Sequence, residues 1–351
     1  MIGKHISATG ERPTALDLFC GCGGVTAGLQ SANFEVVAAV DNDAVACLTY
    51  RENHPTIDLI EEDISNISLS NLRDSSTRDQ SLDLMVVCAP CQPFSSQQRE
   101  MRRDPRLELV LQSVRFAMFL RPRVILFENV AGMASSRFSG LRRRLHASLS
   151  YLGYNLSTPK RLDAADFGVP QRRVRLIMLA TLSQRLPSLP DPRRTSWSGT
   201  VRRAIGDLRP LKSGEADPDD CLHFARRHRA IVLERLRHIP KDGGSRFSLP
   251  VPLQLACHRN YSGFPDVYGR MKWDAVAPTL TTGCTDLTRG RFVHPRDDRA
   301  LTLREAARLQ TFPDSYKFIG SAKDIATQIG NAVPVSFMHQ LAWSIRSQLS
   351  D

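Results

Sequence analysis

A thiol, a carboxyl group and two guanidinium groups stand in this sequence where covalent chemistry could be done. Cys91 lies in Ala89-Pro90-Cys91-Gln92-Pro93-Phe94-Ser95, directly after the largely apolar run 82–87. The thiol therefore falls where a buried strand empties into a loop. Pro90 and Pro93 fix φ and push the residues before them out of the helical region, which holds a thiol in one orientation. Such a frame suits a nucleophile; a buried structural cysteine at a strand end is the plainer alternative from this segment alone. Glu128 follows the apolar stretch 124–127, where partial burial raises a carboxyl pKa and lets the group donate a proton. A surface glutamate at a strand end is its alternative. Arg173 and Arg175 alternate along a strand and so point to one face, with Arg172 facing elsewhere and Gln171 shaping the turn before them.

The elements that must position these groups are short apolar runs at 14–19, 35–40, 82–88, 123–127 and 174–180, each bounded by turn signals and each read as a buried strand. Helical patterns at 107–120 and 140–152 lie between them. This alternation implies an α/β fold: a mostly parallel, doubly wound, Rossmann-like sheet covered on both faces, with its ligands at the carboxyl ends of the strands. Past residue 181 the texture turns rich in proline, serine and arginine. The division expected is a larger domain at 1–181 that holds the sheet, a smaller domain at 182–314, and a C-terminal segment at 315–351 with an amphipathic helix pattern near 335–349.

Gly21, Gly23 and Gly24 follow the first strand, where glycine lets the backbone turn tightly and approach a ligand. Asp41, twenty residues after Gly21, ends the second strand, where a carboxylate can accept from ribose hydroxyls. Nicotinamide and S-adenosylmethionine enzymes share these features, although a dinucleotide fingerprint wants Gly or Ala where this chain has Thr26. The net charge of +11, from 47 basic and 36 acidic residues, points to a polyanionic partner. Between residues 185 and 262 basic residues outnumber acidic ones 15 to 8, so this stretch is the expected nucleic-acid face; solvated arginines in a compositionally biased chain are the alternative. Eight cysteines are sparse for this length and fit a reducing cytoplasm. Cys88 and Cys91 form a C-x-x-C, but no second ligand pair stands at a spacing that makes a zinc site, and no metal is expected. No window approaches a membrane span and no apolar leader precedes the first strand, so the reading is a soluble protein of the bacterial cytoplasm.

Six blocks follow one another along the chain: DLFCGCGG from Asp17, APCQPFSSQ from Ala89, FENV from Phe127, QRRVR from Gln171, REAARLQTFPD from Arg304 and IGNAVP from Ile329. In content and order they resemble the cytosine-C5 DNA methyltransferases of bacteria, whether in restriction-modification systems or standing alone. The resemblance covers nearly the whole chain and weakens between 182 and 268; it implies that 1–181 is the catalytic and cofactor-binding domain, that 182–314 is the target-recognition domain, and that 315–351 returns to the catalytic domain. It implies methyl transfer from S-adenosylmethionine, leaving S-adenosylhomocysteine, to C5 of a cytosine flipped out of a specific duplex sequence. It makes Cys91 the nucleophile that adds to C6, Glu128 the donor at N3, and Arg173 and Arg175 the groups that orient the glutamate and grip the cytosine O2. The cofactor would be held by Asp17, Phe19, Gly21, Gly23 and Gly24, by Asp41 at the ribose, by Asp63 and Ile64 at the adenine, and by Pro90, Leu109, Asn331 and Val333. Phe19 reads alternatively as core and Asp63 as a helix cap.

The polar, basic segment 95–106 suits a loop that closes over DNA. Gln92, Ser95, Arg99, Arg102, Arg103 and Arg106 are its candidate contacts, although the loop lacks the glycines many family members carry there. Double-stranded DNA is the expected partner, a cognate restriction endonuclease a genetic one, and the monomer the expected state. Three other readings stand beside this one. A tRNA cytosine-C5 methyltransferase would carry a Cys-Phe-Thr motif in the variable region, which is absent. A non-catalytic DNA-binding paralogue would have lost one of the four reactive groups, and a nicotinamide oxidoreductase would bind NAD.

Overall fold

The computed structural model describes residues 12–69, 81–90, 105–191, 199–259, 263 and 265–349. Cys91, Gln92, Ser95, Arg99, Arg102 and Arg103 lie outside the described residues. The chain divides into two compact units, one within Met1–Asp163, Val174–Pro192 and Val335–Asp351, the other within Ala164–Arg173 and Arg193–Pro334.

An eight-stranded sheet carries the first unit: β1 Thr14–Leu18, β2 Glu35–Asp41, β3 Asp58–Glu61, β4 Leu84–Val87, β5 Val124–Val130, β6 Asn155–Leu156, β7 Lys160–Asp163 and β8 Val174–Thr181. Their order is β3-β2-β1-β4-β5-β8-β6, with β7 also pairing β8. The pairs from β3 to β5 are parallel. Strand β8 runs antiparallel to β5, β6 and β7. β1 and β4 are buried at every residue, as central strands are when helices cover both faces of a parallel sheet. One such helix, Gly24–Ser31, packs against the C-terminal helix Val335–Arg346. The helices Leu109–Leu120 and Ser139–Tyr151 pack against each other. Leu16, Leu18, Val40, Met85, Phe116, Ile125, Phe127, Leu145 and Leu149 join strands and helices in one core.

The second unit has little regular structure among its described residues. Its helices are Val201–Ile205, Ala230–His238, Leu303–Leu309 and Ala322–Asn331. A core of Leu236, Ile239, Leu249, Tyr268, Leu287, Val293 and Ala300 is reinforced by buried charge. Arg299 donates to both oxygens of Glu305, at 2.9 and 2.7 Å, and each residue is about 1% exposed or less. Thr302 and Glu305 close a capping box at the start of Leu303–Leu309.

The bounds of the units differ from the expected 181/182 and 314/315 divisions. Residues 164–173 and 315–334 belong with the second unit, and the chain re-enters the first at Val335. Hydrogen bonding accounts for this. Gln171 donates to Gln310 Oε1 (3.0 Å) and accepts from Leu280 N (2.9 Å), while Gln310 donates to Ile329 O (2.5 Å). The QRRVR, RLQTF and IGN blocks are thereby tied into one body.

Candidate active site

The first turn after β1 bends through left-handed backbone at Phe19 (φ 64°), Gly21 (φ 52°) and Gly23 (φ 92°). The last two positions suit glycine, whereas Phe19 pays the steric cost that a bulky residue incurs there, a pattern found at ligand-holding turns. Gly21 N donates to Asp41 Oδ2 (2.7 Å) and Asp43 N to Asp41 Oδ1 (2.9 Å), so the carboxylate ending β2 clamps the turn ending β1. Burial pushes the Asp41 carboxyl up, against these backbone donors. A side chain added at Gly21 would meet nothing within 4 Å.

Asp17 is fully buried on β1. Thr26 Oγ1 donates to its Oδ2 (2.7 Å) and stands 2.9 Å from Tyr50 OH. A hydroxyl has one proton, so Tyr50 must donate to Thr26 for Thr26 to donate to Asp17. Asp17 Oδ1 has no hydrogen-bond partner. Burial raises the Asp17 carboxyl to about 7, with Thr26 opposing the rise and the Asp41 charge adding to it. Thr26, which departs from a dinucleotide fingerprint, is thus the hydroxyl that serves Asp17. Neither Thr26 nor Tyr50 stood out in the sequence; the signal available was the very departure at position 26.

Of the other expected cofactor residues, Asp63 accepts from Ser65 N (2.8 Å) and Ile64 is buried. Phe19 and Leu109 pack at the margin of the core. Pro90 follows Ala89, whose carbonyl accepts from Asn129 Nδ2 (3.1 Å). Asn129 therefore fixes the backbone entering the Pro-Cys segment, a role that only its place in the FENV block could have suggested. Asn331 and Val333 belong to the second unit, where Asn331 ends the helix Ala322–Asn331 and Val333 is buried.

Glu128 and Arg175 meet at the same edge of the sheet. Glu128 is opposite Ile177 and Val130 opposite Arg175 in the β5–β8 register, which makes Glu128 and Arg175 a diagonal pair on one face. Arg175 Nε lies 2.8 Å from Glu128 Oε1, both side chains less than a tenth exposed. That oxygen nonetheless lacks an aligned hydrogen bond, so the contact is an ion pair with its N–H directed off-line. Asp17 is opposite Val86, and Val86 opposite Leu126; Glu128, two residues on, therefore shares a face with Asp17. Cys88 lies there too: burial pushes its thiol well up, and the nearby Glu128 charge is the next cause.

Two expectations need correction. Arg173 and Arg175 do not ride one strand, because β8 begins at Val174. Arg173 donates instead to the carbonyls of Leu280 and Gly330, each at 3.1 Å, in the second unit. QRRVR also runs into the amino end of β8, whereas ligands of such a sheet are expected at carboxyl ends; the reversed direction of β8 is what brings its amino end beside the carboxyl end of β5. Arg106, the one described candidate of the DNA-closing loop, sits half-buried in the 3-10 turn Pro105–Glu108. Among the described residues no group of His, Cys, Asp or Glu side chains is placed to hold a metal ion, and no helix is long and apolar enough to cross a membrane.

A carboxylate at the end of β2, a glycine turn after β1 and a buried ion pair on β5 and β8 define a nucleotide-type α/β enzyme whose reactive groups gather at one sheet edge. The particular kind follows from comparison. Residues 14–347 match the model of the C-5 cytosine-specific DNA methylases, and the chain belongs to that family. It is a DNA (cytosine-5-)-methyltransferase. The type II methylase M.HgiDII of Herpetosiphon aurantiacus is 38% identical over 338 residues, covering 94% of each chain. The type II methyltransferase M1.HphI of Haemophilus parahaemolyticus is 32% identical, covering 95% of this chain and 86% of that one. In fold, the chain is similar to a putative DNA modification methyltransferase encoded within a prophage of E. coli, with a TM-score of 0.77 at 23% identity over 97% of this chain and 100% of that one.

Proposed function

We propose that this enzyme methylates a cytosine within a specific duplex sequence through a covalent bond from Cys91 to C6, in the manner of the type II methyltransferases it is similar to. The observation that carries the reading is the buried Glu128–Arg175 pair on the face that Asp17 shares. Cytosine C5 is too weak a nucleophile to take a methyl group directly. Addition of the Cys91 thiolate to C6, with a proton held at N3 by Glu128, gives an enamine whose C5 is nucleophilic. Loss of the C5 proton after methylation then expels the thiolate. Arg175 holds Glu128 in place, and Arg173, bound to second-unit carbonyls, supports the backbone leading into β8. A stacked base cannot reach these groups, so the target is extruded from the helix at a cost of a few kcal/mol.

S-adenosylmethionine, when bound, supplies the electrophilic methyl group. The residues present fit it: Asp17 offers a buried acceptor without a partner, Gly21 borders open space, and Asp41 stands where ribose hydroxyls are met. Asp63, Ile64, Pro90, Leu109, Asn331 and Val333 complete the proposed cofactor set. The second unit, with the surplus of arginine between 185 and 262, is proposed to select the sequence, and residues 95–106 to close over the duplex. A monomer acting in the bacterial cytoplasm, with a restriction endonuclease as its genetic companion, completes the reading.

The test is methyl transfer from labelled S-adenosylmethionine to unmethylated duplex DNA and to tRNA side by side, with bisulfite sequencing of the product. Duplex DNA carrying 5-fluorocytosine should in addition form a stable adduct on Cys91, because fluorine cannot leave as a proton, and Cys91→Ser should form none. An adduct mapping to another residue overturns the assignment, and label confined to tRNA replaces the substrate.

A further inference from the structure

Outside the active site, the helix Ser139–Tyr151 borders a surface groove in the first unit. Its floor is apolar, formed by Leu107, Phe138 and Leu141, and its rim carries Arg137, Arg143 and Arg144. Arg144 is offset by Glu108 at 2.7 Å. Arg137 lies over the Phe138 ring, 5.3 Å from its centre, and remains exposed. Arg143 is exposed as well and has no ion pair among the described residues. Among the described residues that line the groove, three guanidinium groups stand beside one carboxylate. Gly140 keeps it open, since a side chain there would meet nothing within 4 Å.

The groove also lies on the side where substrate arrives. β5 ends at Val130 with Glu128 near its tip, and residues 131–138 lead by two 3-10 turns into Ser139–Tyr151. The amino end of that helix, with its partial positive charge, therefore starts from the sheet edge that carries the reacting groups. Leu107, in the floor of the groove, directly follows Arg106 at the end of the expected DNA-closing segment.

We propose that this groove binds the phosphodiester backbone of duplex DNA flanking the target, extending the enzyme's footprint beyond its recognition site. The proposal rests on the DNA methyltransferase reading and adds a charged contact surface to it. Its contacts are to phosphate and so independent of sequence. An apolar floor beneath separated guanidinium groups suits sugar edges below and phosphates at the rim.

The experiment compares wild type with Arg137→Ala/Arg143→Ala and Arg137→Lys/Arg143→Lys, on a duplex of the recognition site alone and on one extended by about a helical turn on each side. Wild type must first methylate both; if it methylates neither, the functional reading fails before this proposal is reached. The alanine pair should bind the extended duplex more weakly. Its plot of log binding constant against log salt should be shallower by about 1.8, at about 0.9 per lost phosphate contact. Binding to the short duplex and kcat at saturating DNA should be unchanged, and the lysine pair, which keeps both charges, should recover most of the slope. A wild-type slope in the alanine pair overturns the proposal. So does an equal loss on short and extended duplexes, which would mean that the two arginines serve the site itself or the fold.

Discussion

Glu128 is held by Arg175 where neither side chain is a tenth exposed. A buried pair of this kind adds little net stability over an apolar substitute, yet removing one partner strands the other charge. Arg175→Ala should therefore lower stability by about 3–5 kcal/mol in urea unfolding and reduce kcat, since the carboxyl group loses the contact that fixes its rotamer. Arg175→Lys restores the charge but not the planar fork, and should recover stability more fully than turnover. If kcat follows stability in both variants, Arg175 is a structural residue and Glu128 is positioned by something else. Asp17 differs in kind. Its carboxylate accepts from the neutral hydroxyl of Thr26, and burial pushes it up to about 7, so its ionisation state near neutrality depends on what occupies the space beside it.

At the scale of elements, the helix Gly24–Ser31 shows how closely the first unit is packed. A Cβ on Gly28 would lie 2.6 Å from Met338 Cβ and 2.9 Å from the Val335 carbonyl oxygen, so the glycine is what allows this helix to meet Val335–Arg346. Gly28→Ala gains up to about 1 kcal/mol in helix propensity and loses about 1–3 kcal/mol to overpacking. Because the atoms in the way are a Cβ and a backbone oxygen that cannot swing aside, overpacking should win, and calorimetry should show a net loss with the active-site groups untouched. The long apolar strands were legible in the sequence because a buried parallel strand has an unmistakable composition. The expected run 35–40 appears as Glu35–Asp41, and 174–180 as Val174–Thr181. The short strands β3, β6 and β7 were not, since two to four half-exposed residues carry no periodic signal. Nor was the direction of β8, which is set by pairing with β5 rather than by any local preference. That reversal decides the site: it delivers Arg175 to Glu128 and leaves Arg173 with the second unit. Glu128, Arg175 and Asp17 could be named from their blocks and Asp41 from its place at the end of the second strand, but the contacts of Thr26 with Asp17, of Tyr50 with Thr26 and of Asn129 with the Ala89 carbonyl span 9, 24 and 40 residues of sequence, separations that no spacing rule reaches.

Across the whole molecule, the two units carry buried titratable groups whose responses to acid are opposed. In the first, Asp17 has its pKa raised from 3.8 to about 7 by burial. A group raised in the fold contributes stability that is full below its unfolded pKa and lost as pH rises through its folded one, so Asp17 adds stability as pH falls from 7 to 4, whereas His54 of the same unit, lowered by burial from 6.5 to about 4, removes it over that interval. In the second, burial lowers His294 from 6.5 to about 4. The unfolded chain then takes up a proton that the fold refuses, and stability is lost over the same interval. Glu305, held down at about 2 by Arg299 against the cost of its own burial, contributes stability above pH 4.5 that disappears as pH falls toward 2. Lowering the pH from 7 to 4 should therefore leave the first unit's stability nearly unchanged, because Asp17 and His54 offset each other, and destabilise the second, so that the calorimetric transition should broaden or split. Asp17→Asn should leave His54 unopposed and make the first unit lose stability in acid, without altering the response of the second. His294→Phe should remove most of the loss between pH 6.5 and 4 and leave the steeper one below 4.5, where Glu305 is protonated and Arg299 keeps a buried charge without its counter-ion. A transition that stays single and shifts as a whole in all three proteins would mean that the units unfold as one body and that these groups offset each other within it.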